Sequence, residues 1–245
     1  AYVGRVAVEK NVEAFLTLDL PGTKLVVGGG PALEEMRRRH PAAVFTGYRY
    51  GEALAATLAA ADVFVNADGH KTSISGPGVG NYITMARAAA AARALVGEQA
   101  LSHAGLVLAH GTGTPQNRVT ESEILSRTAQ AFGIADWPVV AVKCFLGHSI
   151  GAAAGDQVNT ALGIWRHGVL PGITTIDSVA DDVRQDHLSI SNRHRAIDLD
   201  QQRYAIINSK GFGGNNASAT LLSTQATQRM LQSRYSSQEW QAWER

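Results

Sequence analysis

Short apolar runs alternate with helix-like segments over the first 65 residues. Residues 25–27, 44–47 and 62–65 are apolar, which predicts three strands. Residues 32–40 and 52–61 have helical spacing, and Pro31 fits the first turn of a helix. Strands that alternate with helices in this way predict a parallel sheet.

From residue 66 onward the pattern changes to buried strands and longer helices. The predicted helices cover residues 82–95, 121–132 and 151–165, whose apolar or small side chains recur at helical spacing. The predicted strands are residues 106–109, 139–142, 188–191, 204–208 and 217–222. The polar tail that follows is typical of a surface helix. We therefore divide the chain into residues 1–65, 66–222 and 223–245.

Composition narrows the class of protein. Apolar residues make up 45% of the 245 residues and charged residues 18%, which favours a folded core. The net charge of +1 provides no basic field for nucleic acid. We find no apolar run near the ~20 residues that cross a bilayer. One cysteine, Cys144, excludes an internal disulfide and fits a reducing cytoplasm.

Candidate chemistry is concentrated between residues 109 and 155. His110 follows a buried-type strand in A-H-G-T-G-T-P, whereas Lys143 and His148 share K-C-F-L-G-H-S. A helix N-terminus beyond His148 disfavours a protonated imidazole, so His148 is expected to be a neutral hydrogen-bond donor. Two such donors on one oxygen can stabilise an enolate, with Lys143 adding positive charge. The motifs therefore indicate chemistry on a carbonyl group.

Other kinds of site fit less well. Two histidines without a carboxylate in a ligand motif argue against zinc, and no G-x-S-x-G elbow supports a serine hydrolase. The glycines 28–30 after a strand suit either a phosphate cradle or a tight turn. Arg5 and Lys10 flank the first turn, where they suit either a diphosphate or a solvated surface. Neither choice is decided by spacing alone.

Four ordered motifs resemble the C-terminal half of β-ketoacyl-acyl-carrier-protein synthases, over residues 63–222. They are N-A-D-G-H-K-T-S-I-S-G-P-G, the two motifs above and S-K-G-F-G-G-N-N-A-S. The resemblance implies an α/β thiolase-like half, with a mixed sheet covered by helices. It implies decarboxylative condensation of malonyl-carrier protein with an acyl primer in fatty-acid synthesis, without metal or cofactor.

The resemblance also implies roles for individual residues. His110 and His148 would bind the malonyl thioester oxygen, supported by Lys143 and by Glu121. The gating loop, which contributes an oxyanion N–H from its aromatic residue, would be Gly211, Phe212, Gly213 and Gly214. Pro115–Arg118 departs from the common pattern and resembles a subgroup acting at initiation, so acetyl-type primers are possible.

One element of that family is not matched by any motif. The nucleophilic cysteine belongs to the family's N-terminal half, and Cys144 is instead interpreted as a small buried side chain. We therefore expect no condensation by this chain alone, with weak malonyl decarboxylation retained. The implied partners are acyl carrier protein, malonyl and acyl thioesters, and a homodimer or a cysteine-bearing half. A non-catalytic partner subunit is the alternative.

Residues 1–65 resemble a different family. Y-V-G-R-V-A-V-E-K-N, V-V-G-G-G-P and A-A-A-D-V-F-V are similar to the C-terminal Rossmann-like domain of two-domain retaining glycosyltransferases. That resemblance implies diphosphate contacts at Arg5 and Lys10, in a partial βα fragment that should not transfer sugar. The segment that resembles glycosyltransferases and the segment that resembles β-ketoacyl synthases meet at Val65/Asn66 without a linker. A chimera is therefore a further interpretation.

Overall fold

Nine strands form one sheet in the computed structural model, which describes residues 1–17, 19, 22–49, 53, 57, 64–69, 79–211 and 215–243. In chain order the strands are β1 (Tyr2–Val3), β2 (Leu25–Val27), β3 (Val44–Gly47), β4 (Phe64–Gly69), β5 (Gly105–Leu108), β6 (Trp137–Val140), β8 (Leu188–Ile190), β10 (Tyr204–Gly211) and β11 (Asn215–Leu222). Their spatial order is β3-β2-β1-β4-β11-β10-β5-β6-β8. A second sheet pairs β7 (Val169–Leu170) with β9 (Arg195–Ala196).

Strand direction determines where loops gather. Within the described sheet, β11 runs antiparallel to its neighbours β4 and β10, and the other pairings are parallel. The carboxyl ends of β1, β10, β5 and β6 therefore lie along one edge of the sheet. Segments that follow these strands are brought together there, which is where open α/β sheets hold their ligands.

The sheet continues across the sequence boundary at Val65/Asn66. Both residues lie in β4, which pairs with β1 on one side and with β11 on the other. The division into residues 1–65 and 66–222 stays a prediction, because one sheet carries strands from both. The predicted helix at residues 52–61 lies almost wholly outside the described residues.

Helices cover both faces of the sheet. They are α1 (Val12–Thr17), α2 (Leu33–Arg39), α3 (Val79–Val96), α4 (Glu98–His103), α5 (Pro115–Ala131), α6 (Lys143–Leu146), α7 (Ala153–His167), α8 (Thr224–Arg234) and α9 (Ser237–Trp243). Alternate residues of β10 face opposite ways: Ile206 packs with α3 and α5, whereas Ile207 packs with α7. This alternation builds two cores, one on each face, and supports β5 and β10 from both sides.

The predicted elements are largely confirmed, with shifted ends. Helix α3 begins three residues earlier than predicted, and α5 begins at Pro115 instead of residue 121. The tail forms two helices, and Ser223 caps α8 by accepting a hydrogen bond from the Ala226 N–H at 3.3 Å. Within the described residues, no helix is long and apolar enough to cross a membrane.

The glycine triplet 28–30 packs tightly against the chain that follows β1. Gly28 and Gly30 have φ of 141° and 156°, and a Cβ there would lie 1.9 Å from the Gly4 oxygen and 2.3 Å from the Val6 oxygen. Only glycine permits this conformation together with so close a backbone approach. The geometry favours the tight-turn interpretation over an open phosphate cradle.

Gly105, at the start of β5, provides a test of core packing. A Cβ added there would lie 2.1 Å from the ring of Tyr204, which is fully buried and donates to the Leu101 carbonyl oxygen at 2.8 Å. We expect Gly105→Ala to lower the free energy of unfolding by about 1–3 kcal/mol, because the ring has no space to yield. Urea denaturation measures this change.

The matched control is Gly163→Ala in α7, where an added Cβ meets nothing within 4 Å. Alanine in a helix interior is favoured over glycine by about 0.5–1 kcal/mol, so the control should be neutral or stabilised. Equal unfolding midpoints for Gly105→Ala and the wild type would contradict the packing described here.

Candidate functional site

The site lies where β5 and β10, which are parallel neighbours, reach the same edge of the sheet. His110 follows β5 by two residues, and Lys210 lies near the end of β10. Helix α5 starts just beyond the His110 loop, with Pro115 at its first position, and carries Glu121 back underneath the loop. Three predicted site residues, His110, Lys143 and Glu121, are therefore brought together.

Glu121 is a buried carboxylate with hydrogen-bond donors on both oxygens. Its Oε1 accepts from the His110 backbone N–H at 2.7 Å and from Asn208 Nδ2 at 2.6 Å. Its Oε2 accepts from the Gly111 N–H and from Asn117 Nδ2, both at 2.9 Å. Four donors satisfy the charge that burial would otherwise penalise. The carboxylate thereby ties β5, β10 and α5 at one point.

Lys143 binds the other side of the His110 backbone. Its Nζ donates to the His110 carbonyl oxygen at 2.6 Å. Lys143 lies three residues beyond β6, as the first residue of α6, whereas it was predicted to follow the strand directly. Burial lowers the pKa of the ammonium, while Glu121 and Asp156 act in the opposite direction. The His110 peptide is thus held between a carboxylate and an ammonium.

The tautomer of His110 follows from its hydrogen bond. Its Nδ1 accepts from the Lys210 backbone N–H at 3.2 Å, so the neutral ring carries its hydrogen on Nε2. The pKa of His110 is lowered to about 4, mainly by burial; Glu121 opposes this shift, whereas Lys143, His148 and Lys210 contribute to it. His110 is therefore a neutral Nε2–H donor at physiological pH.

His148 reaches the same arrangement from a different loop. Its Nδ1 accepts from the Ile150 N–H at 3.1 Å, which again leaves the hydrogen on Nε2 of the neutral ring. Ile150 has a φ of 56°, a left-handed conformation that costs a β-branched residue energy. The two imidazole rings lie 5.2 Å apart between centroids, at 78°. Two Nε2–H donors are thus adjacent, on a buried and an exposed ring.

Several site residues escaped the sequence analysis. Asn208 binds Glu121 and pairs with Asn81 through a 2.8 Å hydrogen bond. Gln157 of α7 donates from Nε2 to three backbone oxygens, including that of Ala109 at 2.7 Å. The available signal was a polar residue inside an apolar pattern, as Asn208 stands in A-I-I-N. Such a residue, when fully buried, needs a partner.

Other predicted residues are not part of this cluster. Arg5 and Lys10 follow β1, which is four strand spacings from β5, or about 19 Å across the sheet. Of the predicted gating loop, Gly211 ends β10, whereas Phe212, Gly213 and Gly214 lie outside the described residues. Within the described part of the chain, no cluster of three metal-binding side chains occurs.

Cys144 has the environment of a structural thiol. It is half-buried in the wall of a cavity of about 290 Å³ that also borders Lys143 and Glu121. Burial raises the pKa of the thiol, although hydrogen bonds at residues 174 and 175 act against that shift. A nucleophilic cysteine needs a lowered pKa instead. The geometry supports the interpretation that Cys144 is not a nucleophile.

Comparison with known proteins gives one strong and one weak match. Residues 58–177 match the family model described as β-ketoacyl synthase, C-terminal domain. Over 177 residues, 72% of the chain, it is 56% identical to the β-ketoacyl-[acyl-carrier-protein] synthase FabY of Pseudomonas aeruginosa. The crystal structure of the noncanonical ketosynthase FabY from P. aeruginosa superposes on 77% of the chain, with a TM-score of 0.68 and 53% identity.

The matches also show how much of each relative is present. The chain spans 28% of that curated synthase and 30% of the chain in that crystal structure. A separate match of 73 residues, 41% identical, is to a GDP-mannose-dependent α-mannosyltransferase of Mycobacterium tuberculosis. It covers 29% of this chain and 19% of that enzyme, so it is only a weak indication for the N-terminal segment.

Glu121→Gln tests the carboxylate as the structural centre of the site. Whichever way the amide turns, its NH₂ faces two of the donors that the carboxylate satisfied. We expect the free energy of unfolding to fall by about 2 kcal/mol or more, as measured in urea. Glu98→Gln, at the exposed start of α4, is the control and should change it by less than about 0.5 kcal/mol. Similar losses in both variants would contradict this role.

Proposed function

We propose that residues 66–222, which match the C-terminal domain of the β-ketoacyl synthase family and have its thiolase-like α/β fold, activate malonyl-carrier protein for condensation. The observation that carries the proposal is the His110–His148 pair. Both rings have Nδ1 occupied by a backbone N–H, and the rings are 5.2 Å apart. A thioester oxygen between them would receive two hydrogen bonds.

These donors suit the charge that develops during decarboxylation. The bond between the malonyl carboxylate and its central carbon breaks, CO₂ leaves, and the electron pair moves onto the thioester oxygen as an enolate. Hydrogen bonds from two fixed imidazoles stabilise that oxygen more in the transition state than in the ground state. Neutral donors are needed because a proton lost to the enolate would end the reaction early.

Lys143 and Glu121 support this step without touching the substrate. Lys143 donates to the His110 carbonyl oxygen, and Glu121 accepts from the His110 N–H, so the peptide that carries the ring is held on both sides. The positive charge of Lys143 also favours a neutral His110. We propose that both are positioning residues, and that the loop Gly211–Gly214 contributes the oxyanion contact of the acyl-transfer step.

Condensation itself requires an acyl group on a cysteine. The carbanion from malonyl would attack the acyl carbonyl, forming the new carbon–carbon bond as the cysteine thiolate leaves. Cys144, with its raised pKa, does not suit that role. We propose that the acyl-cysteine comes from a second half of the enzyme, and that acyl carrier protein delivers the malonyl group.

An exposed apolar surface beside His148 favours such a second half. Phe145, Leu146 and Ile150 flank His148 along the chain and Leu162 follows on α7, with 45%, 63%, 77% and 53% of each residue exposed; we propose that they belong to one surface. Exposed apolar patches of this kind mark surfaces that another protein covers. The same surface fits the alternative, a non-catalytic subunit in a two-subunit synthase or a homodimer.

The segment of residues 1–65 remains a separate proposal. The mannosyltransferase match favours a glycosyltransferase-like fragment, while the closely packed glycines 28–30 argue against a bound diphosphate. Calorimetry with GDP-mannose separates these possibilities. Binding heat that is present in the wild type and lost in Arg5→Ala and Lys10→Ala would support a nucleotide-sugar site. No binding heat in the wild type would exclude such a site.

Activity is tested first with malonyl-CoA in place of the carrier-bound substrate. We expect the chain to release CO₂ and form acetyl-CoA slowly, but not to elongate an acyl primer. His110→Ala and His148→Ala should each slow decarboxylation by about 100-fold, the usual scale for losing one oxyanion donor. His103→Ala, an exposed histidine of α4, is the control. Elongation of an acyl primer without any added partner would contradict the proposal that this chain does not supply the nucleophilic cysteine.

The pH dependence of that reaction follows from His110. Its pKa of about 4 means that the neutral donor is present above pH 4 and is lost as the pH falls through that value. We therefore expect the decarboxylation rate to fall only near about pH 4–5. An acid limb near the ordinary histidine value of 6.5 would show that a different group controls the reaction.

The exposed apolar surface beside His148 is tested with a cysteine-bearing synthase half, using native mass spectrometry and size-exclusion chromatography. We expect a one-to-one complex, weakened at least about tenfold by Leu162→Glu because a charge would be buried in the interface. Val44→Glu changes an exposed apolar residue on β3 and should leave the complex intact. A complex of unchanged affinity in Leu162→Glu would exclude this surface as the interface.

A further inference from the structure

Lys210 connects three parts of the site. Its backbone N–H donates to His110 Nδ1 at 3.2 Å. Its side-chain Nζ donates to Asn117 Oδ1 at 3.0 Å and to Thr120 Oγ1 at 3.2 Å, both in the first turns of α5. The residue therefore joins the end of β10 to His110 and to the helix that carries Glu121.

The cluster holds charged groups of both signs. The carboxylate of Glu121 lies among the ammonium groups of Lys143 and Lys210, and Asp156 also acts on Lys143. Lys143 donates to a peptide oxygen, and Lys210 to an amide and a hydroxyl oxygen. The ammonium charge of Lys210 therefore acts on His110 in a largely buried place. Such a charge is felt strongly because little water screens it.

We propose that Lys210 is a positioning residue that holds His110 in its neutral Nε2–H form, through its backbone donor and its ammonium charge. The backbone bond selects the tautomer, and the charge disfavours a second proton on the ring. The tautomer follows from that hydrogen bond, and the effect of the charge from the place of Lys210 among the charged groups around His110. Its consequence for the reaction rests on the proposed function, where a neutral donor is required.

Every charged group that faces His110 bears on this proposal. Glu121 from α5 favours protonation of the ring, whereas Lys143 from α6, His148 from the loop before α7 and Lys210 from β10 disfavour it. Lys210 is one of two lysines that oppose a single carboxylate. Its removal should therefore shift the balance toward a protonated imidazole.

A purely structural role predicts something different. If Lys210 only filled space and tied α5 to β10, any variant that kept the fold would leave the protonation of His110 unchanged. Lys210→Arg keeps the positive charge. Lys210→Met removes that charge but keeps most of the length and the apolar stem of the side chain. The pair separates charge from shape.

The experiment is an imidazole ¹⁵N NMR titration of the whole chain. The wild type should show His110 with Nδ1 unprotonated and a pKa near 4. We expect Lys210→Met to raise that pKa by about 0.5–1 unit, and Lys210→Arg to leave it within about 0.3 unit. Lys24→Met is the control, because Lys24 also donates to a neutral oxygen, that of Leu16, but near α1. Equal titrations for Lys210→Met and the wild type would overturn the proposal.

A second measurement needs no variant. The proposal requires Lys210 to be an ammonium at neutral pH, although burial lowers its pKa. The ¹⁵N signal of Nζ distinguishes the ammonium from the neutral amine. A neutral amine at pH 7 would refute the proposal even if Lys210→Met did not fold.

Decarboxylation of malonyl-CoA separates the inference from the proposed function. We expect the acid limb of decarboxylation in Lys210→Met to move up by about the same 0.5–1 unit with little change of rate at pH 7, and Lys210→Arg to keep the limb of the wild type. A shifted His110 titration in a chain without decarboxylation would refute the proposed function and keep the positioning role. Decarboxylation by the chain, together with an unshifted His110 titration in Lys210→Met, would keep the proposed function and refute the positioning role of Lys210.

Discussion

A single buried carboxylate holds the site together. Glu121 accepts four hydrogen bonds, from two backbone N–H groups after β5 and from the side chains of Asn117 and Asn208. A buried charge of this kind is stable only when its donors are in place, so its position and that of the His110 loop are determined together. The chemistry of His110 depends on this constraint.

Around that centre, the protein arranges its positive charge without direct ion pairs to the carboxylate. Lys143 and Lys210 donate to neutral oxygens on opposite sides of the His110 loop. Both favour a neutral imidazole whose Nδ1 is already occupied. Local charge and hydrogen bonding thus produce the same result, a donor at Nε2. His148 reaches it by a separate route, through a strained turn at Ile150.

One sheet carries strands from both of the predicted segments. Strands β1 to β3 belong to the segment that resembles glycosyltransferases, yet β1 pairs with β4 as a parallel neighbour. Backbone hydrogen bonds carry no record of sequence family, so an exposed edge accepts any strand of the right direction and length. Beside His148, by contrast, Phe145, Leu146 and Ile150 leave apolar side chains exposed.

The sequence alone predicted most strands and helices, because apolar periodicity reports which face of an element is buried. Its motifs also proposed His110, Lys143, His148 and Glu121, and the structure brings these residues close together. It did not reveal Asn208, Gln157 or Lys210, whose hydrogen-bond partners lie up to 127 residues away along the chain. The tertiary structure alone decided the tautomers, the shared carboxylate and the placement of the two ammonium groups around His110, because these depend on distances that no local pattern encodes.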